Sequence, residues 1–134
     1  MGIKMYTLEQ TGYGVKIVFQ GFIEKKELKR CHREVGELVQ KFKNGFGLLH
    51  DMRGMKTLPA DAREIQKRSM ENAKKAGLLR AAQIVDSAVS AMQFKRLSKE
   101  SDISDTTRQI DASSVSGCEQ VAVDWIVKGI DPEN

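Results

Sequence analysis

His50 and Asp51 stand at the end of a short apolar run, residues 46–52, and Asp86 and Ser87 follow a second run, residues 81–85. Ligands of open α/β sheets bind outside the carboxyl ends of the strands, so these four residues form the best-placed candidate rim for a ligand or a partner. The competing reading is structural, and for motifs this short it is the favoured one. In it Asp51 and Asp86 cap or brace the turns that follow, and His50 is a satisfied, partly buried side chain. Enzyme chemistry asks for more: a nucleophile with a base, paired carboxylates or a metal cluster, and none has supporting context in this chain. No catalytic, metal-binding or cofactor-binding residue is therefore assigned. His32 directly follows Cys31 in a helical stretch, so the two point in different directions and make a poor metal pair. Gly12-Tyr13-Gly14 lacks the third glycine of a dinucleotide fingerprint, and there is no phosphate loop. Arg63, Lys67 and Arg68 read as a solvated helix face.

The elements that must position these residues belong to one domain, residues 1–134, since 134 residues suit a single core. Hydrophobic residues at 40% and charged residues at 30% fit a soluble globular chain, and no stretch approaches the ~20 apolar residues of a membrane span. The opening from Met1 to Tyr6 lacks the apolar core of a secretory signal, and Tyr6 stands where a myristoylation signal wants Ser or Thr. A cytoplasmic location is the expectation. The net charge of +4 is mild, and the 22 basic residues are spread among 18 acids, which argues against nucleic acid as a partner. Cys31 and Cys118 lie far apart on apolar helix faces and read as small core residues, not as a disulfide.

Taken in order, residues 6–10 and 15–22 form strands around a turn at Thr11-Gly12-Tyr13-Gly14, with Val15, Ile17 and Phe19 alternating as on a half-buried strand. Residues 24–42 carry Leu28, Cys31, Val35, Leu38, Val39 and Phe42 at helical spacing. An inner strand at residues 46–52 precedes a helix at about 59–76, with Pro59 in its first turn and Gly77 after its last. Its expected buried stripe, Ala62, Ile65, Ser69, Ala73 and Ala76, is made of small residues, so the helix must lie close to the sheet or form a thin layer. Ala81 to Val85 predicts a central strand covered on both faces, followed by a helix capped by Asp86 or Ser87 that packs back through Val89, Met92 and Gln93 or Leu97. Residues 99–106 read as turn, and residues 107–111 as a weak strand. The last helix has Ser116 and Glu119 at capping-box spacing, a stripe of Cys118, Val121, Ala122, Trp125 and Ile126, and Gly129 to close it. Trp125 is expected to be buried, and the tail from Asp131 to fray. The order β-β-α-β-α-β-α-β-α implies an α/β fold with a mixed sheet of about five strands and about four helices.

The segments Leu48-Leu49-His50-Asp51-Met52-Arg53-Gly54, Arg80 to Ser87, and Glu119 to Ile126 give the chain a resemblance to the STAS superfamily. More narrowly, it resembles the SpoIIAA-like group of small, uncharacterised bacterial proteins, along nearly its whole length. The resemblance implies a SpoIIAA-like fold and a non-enzymatic role. In the anti-sigma-factor antagonists of that superfamily, an Asp-Leu-Ser-Gly-like segment precedes an Asp-Ser-Ser-Gly segment with the phosphorylated serine. Asp51-Met52-Arg53-Gly54 resembles the first, but the second falls at Pro59-Ala60-Asp61, which offers no hydroxyl. Asp86-Ser87-Ala88 lies one crossover later without the glycine, so the phosphorylation site is not carried over. Two functions remain. One is a regulatory interaction module that binds a protein partner or itself, as a homodimer. The other is a carrier or sensor of a small apolar, lipid-like ligand lined by Met52, Met55, Met70 and Met92.

Overall fold

Strands β1 (Tyr6–Gln10) and β2 (Gly14–Gly21) pair antiparallel, joined by a turn in which the Thr11 amide donates to the Gly14 carbonyl at 2.9 Å. In the computed structural model, which describes residues 5–55 and 58–133, the chain continues through α1 (Lys25–Val39), β3 (Phe46–Met55), α2 (Ala60–Ala76) and β4 (Leu78–Val85). It ends with α3 (Ala88–Glu100), β5 (Thr107–Asp111) and α4 (Cys118–Lys128). The expectations for Met1 to Lys4 and for Asn134 lie outside the described residues. Gly14 is a glycine of necessity, since a Cβ there would sit 2.0 Å from the carbonyl oxygen of Gly47 on β3.

The five-stranded sheet runs β1-β2-β3-β4-β5, with β2 to β5 parallel, as the expected mixed α/β architecture requires. Because sequential parallel strands lie side by side, crossovers of one hand put their connecting helices on the same face. Tyr6, Ile17, Phe19, Leu48, Met52 and Val85 accordingly share a core with Leu28, Val35, Met70, Phe94 and Leu97 of α1, α2 and α3. The opposite face is covered by α4, where Leu49, Ala82, Ile84 and Ile110 meet Ala122, Trp125 and Ile126. The Trp125 indole is buried and donates to the Ala81 carbonyl at 3.0 Å, with the Arg108 guanidinium 4.3 Å from the ring centre.

Several local expectations are corrected. Val89 and Met92 are 66% and 68% exposed. The buried stripe of α3 is Phe94, Leu97 and Ser98 instead, a second set at helical spacing that the sheet selected, and only Leu97 was foreseen. Along α2 the buried set is Ala62, Gln66 and Met70, while Ile65 and Ala73 are half-buried and Ala76 is exposed. Helix α1 stops before Phe42, β3 runs on to Met55, β4 starts at Leu78, and Lys99 and Glu100 complete the last turn of α3. Ser116 forms no capping box, because Gly117 occupies the N-cap of α4 in a left-handed conformation and Glu119 pairs with Lys16 of β2. Asp131 is pinned, its carboxylate receiving Arg108 Nε at 3.0 Å and Nη2 at 3.1 Å.

Candidate ligand cavity

Small side chains on α2 have a consequence beneath it. Ser69, Ala73 and Ala76 of α2 and Val35, Gly36 and Val39 of α1 line, together with the sheet, a partly open cavity of about 390 Å³. That is within the roughly 300–1,000 Å³ of small-molecule sites, and its walls are mostly apolar, including Met70, Leu48, Ala81 and Ile103. Arg33, Gln40 and Asn72 line its more exposed parts.

The floor is polar. Ile17, His50, Gln83 and Gln109 are register partners across β2 to β5, so His50 and Gln83 lie side by side on the cavity face, with Thr107 two residues before Gln109. His50, Gln83 and Thr107 are each more than nine-tenths buried. His50 Nδ1, Gln83 Nε2 and Thr107 Oγ1 nevertheless have no hydrogen-bond partner among the described residues, and neither does Nε2 of His32 on α1. Unpaired buried polar atoms cost roughly 1–3 kcal/mol each, so a cluster of them around one cavity points to a group that would satisfy them.

The orientation of the Gln83 amide follows from its neighbours. The Ser98 hydroxyl donates its single proton to the Phe94 carbonyl at 2.9 Å and accepts from Gln109 Nε2 at 3.1 Å. The same Gln109 nitrogen donates to Gln83 Oε1 at 2.8 Å. That leaves Gln83 Nε2 as an N–H donor. Both imidazoles are held neutral: burial lowers the pKa of His50 to about 3, aided by nearby His32, and lowers that of His32 to about 4, only partly offset by Gln66.

The four residues singled out in the sequence do not form one rim. His50 projects toward α1 and α2, whereas Asp51, one residue on, faces the α4 side and accepts from Arg53 Nη2 at 2.6 Å and Nε at 2.9 Å. Burial opposes ionisation of Asp51, but the bonds from Arg53 outweigh it and hold the carboxyl below its usual range. Asp86 is exposed, and Ser87 is the N-cap of α3, its hydroxyl accepting from the Ser90 amide at 3.1 Å. Of the methionines, Met70 lines the cavity and Met92 is exposed. Met52 and Met55 line a separate groove of about 340 Å³ between α2 and α3, and among the described residues none of the unpartnered buried atoms belongs to its lining. Sequence reasoning missed Gln66, Gln83 and Thr107. Gln83 had a readable signal, a lone amide inside the apolar run Ala81-Ala82-Gln83-Ile84-Val85 of a central strand. Among the described residues no group of three or more His, Cys, Asp or Glu could hold a metal ion, and no helix is long and apolar enough to cross a membrane.

No family model matches the chain, and no curated protein matches it. Among solved structures it is similar to an uncharacterised protein from the DUF3478 family with a SpoIIAA-like fold, from Shewanella loihica, with a TM-score of 0.64. The two are 10% identical, and the match covers 90% of this chain and 91% of that one. The chain thus has the SpoIIAA-like fold that its segment pattern suggested.

Proposed function

We propose that this protein is a non-enzymatic binding protein, a carrier or sensor, for a small and largely apolar molecule held between α1, α2 and the sheet. The observation that carries this reading is the set of buried, unpartnered polar atoms of His50, Gln83 and Thr107 around a mostly apolar cavity. A plain structural core would pair such atoms or replace them with apolar groups. The test uses benzene as a probe of the cavity. Bound to the folded state alone, at ten times its dissociation constant, it raises stability by about 1.4 kcal/mol. Ala73→Phe, which fills the cavity, abolishes that gain. An equal gain in both proteins would place benzene elsewhere and contradict the reading.

A regulatory interaction module, acting as a cytoplasmic homodimer, is the second reading. It is favoured by the exposed Val89 and Met92 on the outer side of α3, which a second copy of the chain would cover. In light scattering, a monomer mass at every concentration would exclude self-association.

A further inference from the structure

We infer that the ligand of this cavity is an uncharged molecule with a hydrogen-bond-accepting oxygen, a ketone, ester or alcohol on an apolar body, seated oxygen-first on the sheet. The inference rests on the reading of the cavity as a ligand site and adds the chemistry and direction of binding.

Three observations lead to it. The relay from the Phe94 carbonyl through Ser98 and Gln109 fixes Gln83 so that its amide N–H is left unpaired on the floor of the cavity, which calls for an acceptor. His50 Nδ1 and Thr107 Oγ1 lie on the same floor and, as a neutral imidazole and a hydroxyl, each can donate or accept. A ligand oxygen beside either of them is matched whether it carries a proton or not. Finally, Arg33 is the only charged side chain of the cavity lining among the described residues, and it is exposed. An ammonium on the floor would be a buried charge without a counter-charge, and a carboxylate would meet only imidazoles that burial keeps neutral, which costs several kcal/mol. The apolar walls of Val35, Val39 and Met70 would take the hydrocarbon body.

The experiment compares 2-octanone, octanoate and octylammonium, matched in chain length, as ligands of the full chain at neutral pH. The ketone should bind at least about tenfold more tightly than either ion and shift the Gln83 side-chain amide resonances in the unmodified protein. Gln83→Leu should lose about tenfold in ketone affinity, one hydrogen bond's worth. Octanoate or octylammonium binding as tightly as the ketone would overturn the inference, as would a bound ketone that leaves the Gln83 amide unmoved. Benzene binding with no binding of the three octyl probes would overturn it too, leaving an apolar site. Failure of benzene and all three probes would remove both this inference and the ligand-binding reading beneath it.

Discussion

The imidazoles of His50 and His32 are kept neutral by burial, and this ties stability to pH. An unfolded histidine takes its proton near its ordinary pKa of about 6.5, whereas the folded chain refuses one until about 3 at His50 and about 4 at His32. Between those values the unfolded state binds more protons. Stability is therefore complete above about pH 6.5 and falls as the pH drops toward the folded values, by up to about 1.4 kcal/mol per pH unit for each imidazole. Urea denaturation across this range should show the decline, and His50→Gln should make it shallower, leaving the share of His32. An unchanged slope in the variant would mean that His50 does not titrate as described. Cys31 gives a second prediction, because burial pushes its thiol up to about 12. In native protein at mildly alkaline pH, Cys31 should resist a thiol-disulfide reagent that modifies it fully after unfolding, and fast native labelling would show the site to be open.

At the scale of elements, α4 has a face of the sheet to itself, and Trp125 is its anchor. Trp125→Ala removes buried ring area, the bond to the Ala81 carbonyl and the stacking of Arg108, so it should cost about 3–5 kcal/mol. A chemical denaturation midpoint equal to that of the unmodified protein would show α4 to be peripheral. Ser87→Ala should cost about 0.5–2 kcal/mol through loss of the α3 cap. This element-level structure was legible in the sequence where one apolar stripe was unambiguous, as in α4 and in the alternation along β2. It misled in α3, where Val89 and Met92 offered one stripe and Ala91, Phe94 and Leu97 another. Periodicity cannot rank two such stripes, and packing against β4 and β5 decides. It also misled in α2, whose inward Gln66 looks like a surface residue until the polar atoms opposite are known.

For the whole molecule, sequential parallel strands gather α1, α2 and α3 on one face, and the small side chains of α2 leave the space that makes the cavity. The candidate site was legible only in part. His50 was singled out for its place on an inner strand, but its true companions come from β4, β5 and α1, contributed by register and helix packing that no local motif records. The neighbours chosen from the sequence, Asp51, Asp86 and Ser87, instead hold Arg53, face solvent and cap α3. The claim that the space under α1 and α2 receives a ligand is tested most directly by following side-chain methyl resonances as benzene is added. Saturable shifts of cavity-lining methyl groups, among them those of Val35, Val39, Leu48, Met70 and Ile103, with Met52 and Met55 unmoved, are the expected result. Shifts confined to Met52 and Met55, or none that saturate, would contradict it.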